Sequence, residues 1–261
     1  MICVTGDVHH RSYHGTDTRY SSFSEVELAY KYAQLAAQYG LRITLFLTGK
    51  AALEEPKGVQ RLASMSHCEI GGHTFAAFRD PWSRLYKKIL RTPWGCRTHQ
   101  SRDITRTIES LQRVTGTRIA VWRNHGYVNT ADTPGCLARA GIGWVSDEVN
   151  AAKPSWEHLT PTLRSLPINV IPDHENLLHG KYQHGKAKPI QLSGRLDIDE
   201  WIKQVKSQTQ SVLTQGGIAT ILAHPLCMEV VDGMKGFEEI CRFFEPFPTC
   251  WVSEAQAIRG L

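Results

Sequence analysis

Five side chains able to do hydrolytic chemistry each follow directly after a short apolar run: Asp7, His73, Arg123, Asp147 and His224, with His9 two residues beyond Asp7. Imidazole and carboxylate ligands suit zinc and related divalent ions. A bound ion of that kind polarises a carbonyl and activates water. A carboxylate can take the water's proton, a histidine can protonate a departing amine, and an arginine can orient a carboxylate or steady negative charge. The set therefore predicts a metal-assisted hydrolase. The stretch Glu69-Ile70-Gly71-Gly72-His73-Thr74 stands out, because two glycines permit close backbone approach just before the histidine.

The elements that must carry these residues alternate between strand and helix. Apolar runs predict strands at Ile2–Thr5, Arg42–Leu47, Cys68–Gly72, Arg118–Trp122, Gly143–Ser146, Leu163–Val170 and Ile218–Ala223, with a last strand around Thr249–Val252. Helical spacing follows Ser24, whose partner Glu27 completes a Ser-x-x-Glu capping box. Further helices are predicted over roughly 50–64, 102–114, 131–140, 197–213 and 236–245. Such alternation implies a mostly parallel sheet or barrel with right-handed crossovers. Chemistry then sits at the C-terminal strand ends, where the six residues above fall. Two long connections remain. Residues 75–100 are aromatic and basic, and residues 172–195 carry His174, His179 and His184. The first could form a short amphipathic helix with a packed loop, or its aromatics could stack on sugar rings or pack into the core, and the second reads as a solvated loop.

Composition is that of an ordered globular chain of 261 residues, 41% hydrophobic and 21% charged, with no linker or repeat, and a single domain over 1–261 is expected. Net charge is +5 with no long Lys/Arg run, which does not make a nucleic-acid binder. Seven cysteines without a Cys-x-x-Cys pair argue against a disulfide framework or a thiolate zinc site. Neither a signal sequence nor a run of membrane-spanning length is visible, so a cytoplasmic protein without a membrane span is expected, its oligomeric state left open.

These residues carry a resemblance. The chain resembles the polysaccharide deacetylase family, carbohydrate esterases of the NodB homology type. Val4-Thr5-Gly6-Asp7 is similar to the first motif, Thr-Phe-Asp-Asp, and Leu41–Gly49 to the segment after the first helix. Glu69–Thr74 resembles the second motif, His-Ser/Thr-x-x-His, and Arg123–Tyr127 the third, Arg-x-Pro-Tyr. Ile221–Pro225 resembles the last, and Trp144–Asp147 echoes the fourth. The resemblance implies a distorted (β/α) barrel of about seven strands and metal-dependent removal of N-acetyl groups from an amino sugar or glycan. It implies Asp7 as general base, Arg123 as its orienting partner, His224 as general acid and His73 as a metal ligand, with zinc the expected ion. Tyr127, Asp147 and Trp144 are the expected substrate-binding residues.

The departures are specific. The second aspartate of the family pair is Val8, the second histidine of His-x-x-x-His is Ala77, and the third motif's proline is His125. An Asp-x-Asp spacing would put His9 in the vacated ligand position. The expectation is a rebuilt site in which His9 and His73 are completed by Asp7, His10 or His125; the alternative is a site without metal. Two other functions stay open: hydrolysis of another C–N amide such as a small cyclic amide, and carbohydrate binding without catalysis.

Overall fold

The computed structural model describes residues 1–178 and 195–258, so His179 and His184 lie outside the described residues. Eight strands form one curled sheet: β1 Ile2–Val8, β2 Ile43–Leu47, β3 Cys68–Gly72, β4 Val121–Trp122, β5 Trp144–Val145, β6 Glu157–His158, β7 Arg164–Ser165 and β8 Ala219–Leu222. Their order is β6-β7-β5-β4-β3-β2-β1-β8. Every pairing is parallel except β6 with β7. Helices α1 Glu25–Gln38, α2 Gly49–Glu54, α3 Pro56–Ala63, α4 Pro81–Leu90, α5 Arg97–Thr115, α6 Thr133–Arg139, α7 Asp173–Asn176, α8 Ile198–Thr214, α9 Pro225–Asp232 and α10 Lys235–Phe244 follow in chain order. This is the α/β half-barrel expected from the alternation of elements.

The two-residue period of a strand decides which side chains can reach the site. Along β1, Ile2, Val4 and Val8 join the large core beneath the helices, while Cys3 joins a second cluster with Phe46, Val121, Trp144 and Trp156. Thr5 and Asp7 share the side of Cys3, and both bond to Arg123. Val8 therefore packs outward. The next residue on the side of Asp7 is His9.

The seam between the last parallel strands and β8 is bridged by a side chain. The Asn169 Oδ1 accepts the Thr220 N–H at 2.9 Å, and its Nδ2 donates to the carbonyls of Ile218 and Lys153, each at 2.9 Å. Asn169 so replaces ladder bonds where no regular strand runs. This explains why the strand expected over Leu163–Val170 is regular only at Arg164–Ser165, with Ile168 making a single bridge to Val149.

Other expectations change in detail. The helix expected over roughly 50–64 is two helices, because Pro56 has no N–H to give and opens α3 instead. The strand expected at Thr249–Val252 reduces to one bridge, Ile2 to Thr249, followed by a 3₁₀ turn. The antiparallel β6 and the helices α7 and α9 come in addition, and α4 is the short helix that residues 75–100 allowed. The capping box at Ser24 and Glu27 forms as the spacing predicts.

Candidate active site

Gly71 and Gly72 end β3 under two aromatic rings. A methyl group at Gly72 would lie 2.4 Å from the Trp122 ring, and one at Gly71 would lie 2.6 Å from Phe46. The glycines let β4 and β2 close on β3, and that closure delivers His73 to the strand ends. Directly afterwards Thr74, Ala77 and Phe78 all adopt positive φ, at 60°, 49° and 56°. Non-glycine residues hold such angles at a cost, and runs of them gather at functional sites. Tyr127 does the same across the cavity mouth, at 58°.

Arg123, fully buried at the end of β4, holds the base of the site. Its Nη1 donates to Asp7 Oδ1 at 2.9 Å, its Nη2 donates to Thr5 Oγ1 at 3.0 Å and to Ser146 Oγ at 2.9 Å, and its Nε bonds the Ser146 carbonyl. The other Asp7 oxygen lies 3.8 Å from His73 Nε2 and 3.6 Å from His224 Nε2. Burial alone would raise the Asp7 carboxyl. The charges of His73, Arg123 and His224 outweigh it and hold the group well below the usual carboxylate range. Because His73 is itself neutral at neutral pH, the lasting support comes from Arg123 and His224.

His224 caps β8 and is gripped by Asp173 of α7. The Asp173 Oδ2 accepts the His224 N–H at 2.6 Å, and Oδ1 pairs with Nδ1 at 2.6 Å. Burial opposes the imidazolium, but Asp173 and then Asp7 overcome it and carry the His224 pKa well above the ordinary value. An ionised carboxylate beside a protonated imidazole is the arrangement that general base and general acid require.

The second feature is a knot of three imidazoles. His125 Nδ1 lies 3.1 Å from His9 Nε2 and 3.2 Å from His73 Nε2. The outward nitrogens are committed elsewhere: His9 Nδ1 to Glu25 at 2.9 Å and His73 Nδ1 to the Arg123 carbonyl at 3.0 Å. A carbonyl only accepts, so His73 Nδ1 carries the proton and its Nε2 offers a lone pair. The Glu25 carboxylate likewise accepts the Nδ1–H of His9. Burial drives His73 down to about 4 and His125 well below its usual value, so both are neutral. With the His125 proton on Nε2, lone pairs face one another and a cation can lie between them; with the proton on Nδ1, His125 donates to one of the other two rings. A tetrahedral zinc with nitrogen ligands would keep them roughly 3.3 Å apart. The donor set therefore fits a divalent metal, with Glu25 and the Arg123 carbonyl as the outer partners that orient such ligands. His9, His73 and His125 form one of three groups with that donor spacing among the described residues.

A cavity of about 200 Å³ joins the two features, walled by Tyr13, Asp17, Tyr127, His174, Glu175 and Cys227 in addition. Tyr13 stacks on His9 with ring centroids 4.2 Å apart. Of the residues anticipated from the sequence, Asp7, His9, His73, Arg123, His125, Tyr127 and His224 come together here. Three do not. His10 turns to Thr48 Oγ1 at 3.3 Å, and burial lowers it to about 4. Trp144 packs on Trp156 in the second core cluster. Asp147 accepts hydrogen bonds from Asn124 at 2.6 Å and Asn129 at 3.1 Å, and so holds the loop after β4 from behind. Arg123 pairs with Asp7 and not with Asp147. Glu25 and Asp173 were missed. Glu25 read as an ordinary acid in a first helical turn, and Asp173 sat among histidines in a loop without pattern.

Comparison with known proteins adds a partial family match and a shared fold. A search of curated proteins finds no match. Among solved structures, one from Mycobacterium smegmatis described as a polysaccharide deacetylase superposes with a TM-score of 0.72 at 16% identity, covering 99% of this chain and 90% of that one. PuuE allantoinase superposes with a TM-score of 0.65 at 14% identity, covering 98% and 88%. A family 4 carbohydrate esterase pseudoenzyme from Bacillus anthracis gives 0.56 at 10% identity, covering 98% and 64%. At these identities the likeness is one of fold. Residues 21–142, a little under half of the chain, match the polysaccharide deacetylase family model, and the order of motifs along the chain is similar to that family's.

Proposed function

We propose that the chain is a metal-dependent amide hydrolase that removes an N-acetyl group from an amino sugar or glycan. One observation carries this reading: three imidazole nitrogens converge beside an ionised aspartate and a protonated histidine in one cavity. His9, His73 and His125 would hold the ion, zinc being the best match for an all-imidazole set. Bound there, it would supply Lewis acidity toward the amide carbonyl and toward water.

The chain's own residues do the rest. Asp7, oriented by Arg123, takes the proton of the attacking water through Oδ2. His224 gives its Nε2 proton to the departing amine, and Asp173 keeps that proton available at neutral pH. Tyr127 and Tyr13 wall the cavity where the acyl group and ring would lie. The assay is release of acetate from N-acetylated amino sugars and their oligomers by zinc-loaded protein. No turnover in metal-replete protein on any of these would exclude the reading.

A second reading keeps the site and changes the substrate. A cavity of about 200 Å³ suits a single small ring better than a polymer chain, and an allantoinase shares the fold. Turnover of small cyclic amides without acetate release would favour it. A third reading, carbohydrate binding without catalysis, rests on Val8 and Ala77 at two positions where the family places ligands. Ligand binding without turnover in zinc-loaded protein would select it.

A further inference from the structure

The chain's positive charge is concentrated in one segment, although no long basic run occurs. Between residues 79 and 102 stand seven basic residues, Arg79, Arg84, Lys87, Lys88, Arg91, Arg97 and Arg102, against a single acid, Asp80. The chain as a whole carries +5, so the remainder of the molecule is nearly neutral. Asp80 is itself occupied as the cap of α4, accepting the Ser83 N–H at 2.9 Å. Among the described residues, no carboxylate forms an ion pair with Arg84, Lys87, Lys88 or Arg91.

The same segment carries the largest apolar exposure on the surface. Trp82 is 62% exposed, Leu85 43%, Ile89 64% and Leu90 50%, half of all the large hydrophobic residues that stand open to solvent among the described residues. Within α4 only Ser83 is buried, and Tyr86 beside it is half-buried. Helical spacing puts Trp82, Leu85 and Ile89 on one outward strip and Arg84, Lys87, Lys88 and Arg91 on the adjoining strip. A short helix with bulky apolar residues beside unpaired cations matches the interface of a bilayer, where the apolar strip enters the acyl boundary and the cations meet phosphates. No helix among the described residues is long and apolar enough to cross a membrane, so the helix would lie on the surface.

We propose that α4 and its basic flank dock on an anionic lipid surface. Charge decides between this occupant and a second copy of the chain, because pairing α4 with itself would set four cations against their own images. The position of the patch gives it a use. Phe78, three residues before α4, sits with its ring 6.0 Å from that of His125, and Arg79 lies 5.3 Å from the Tyr13 ring. Docking would hold the cavity mouth next to the lipid surface. The proposal stands independently of the reaction in the cavity.

The test is co-sedimentation with vesicles of phosphatidylcholine alone and of phosphatidylcholine mixed equally with phosphatidylglycerol, with light scattering of the free protein alongside. The wild-type chain is expected to sediment with the mixed vesicles only and to be released by salt. Each cation near such a surface contributes roughly a factor of five in affinity, so Lys87→Glu with Lys88→Glu should weaken binding by about two orders of magnitude or more. Trp82→Ser with Ile89→Ser should weaken it at least about tenfold through the lost apolar area. Because all four side chains are exposed, thermal unfolding reports directly that both variants stay folded. Failure of the wild type to bind the mixed vesicles would overturn the proposal, as would undiminished binding by the Trp82/Ile89 variant. A stable dimer that this variant splits, without vesicle binding, would assign the face to a second copy instead.

Discussion

Asp173 holds His224 at two points, accepting its backbone N–H at 2.6 Å and pairing with its Nδ1 at 2.6 Å. The backbone bond fixes where the ring stands, and the side-chain bond fixes which nitrogen faces Asp7. One carboxylate thus sets the position of the His224 imidazole and raises its affinity for a proton.

That relationship predicts a displaced pH profile. With its pKa raised by Asp173 and Asp7, His224 keeps its proton through neutrality, so the basic limb of kcat/KM lies above the ordinary imidazole range. In Asp173→Asn the support falls away, and the limb should move toward lower pH with a reduced plateau. His224→Ala should cost about 10²–10⁴-fold in kcat. Equal profiles for wild type and Asp173→Asn would remove Asp173 from the mechanism.

Glu25 should act on metal affinity without touching the metal. It pairs with His9 Nδ1 and also accepts the His9 N–H at 2.9 Å. Loss of an outer partner of a ligand histidine typically costs about 10–100-fold in affinity. Competition with a chromophoric chelator should place Glu25→Gln in that range. An unchanged zinc affinity would show that His9 needs no such support.

What could be read from the sequence followed the chain's local grammar. Strand alternation explains why Asp7 and His9 work together and Val8 does not, and Gly71-Gly72 marked a close approach that Trp122 and Phe46 confirm. His125 was visible as an imidazole where the family has proline. In the proposed metal site its nitrogen would take the place of the ligand missing at Ala77, reaching the cavity from the β4 side. Glu25 and Asp173 were not visible, because each acts across 16 and 51 residues of chain and neither sits in a motif. Asp147 and Trp144 look functional by strand-end position alone, but Asp147 bonds the loop after β4 and Trp144 packs on Trp156.

The seam residue Asn169 should matter for stability alone. Asn169→Ala strips partners from the buried Thr220 N–H and the Ile218 carbonyl, and unsatisfied buried groups cost about 1–3 kcal/mol each. Thermal unfolding should fall by several degrees, with zinc affinity unchanged. A variant as stable as the wild type would mean that water replaces these bonds freely.

Asp103 gives a pH-dependent stability. It accepts the Phe75 N–H at 3.0 Å, and burial pushes its carboxyl from 3.8 up to about 7. The folded state therefore binds this proton more tightly than the unfolded chain. The contribution is fully present below the unfolded pKa near 3.8 and is lost as pH rises through about 7. Asp103→Asn, which keeps an acceptor for Phe75, should leave the melting temperature nearly unchanged at ~pH 4 and raise it at ~pH 8. The same offset at both values would contradict the shift.

The central claim is that His9, His73 and His125 together hold a divalent ion. Metal content by mass spectrometry after equilibration with zinc, set against His73→Ala and His125→Ala, tests it most directly. One zinc per wild-type chain is expected, with loss of it in both variants and amide hydrolysis that disappears with chelator and returns with zinc. A chain that retains no zinc, or that hydrolyses its substrate equally well after chelation, would contradict it.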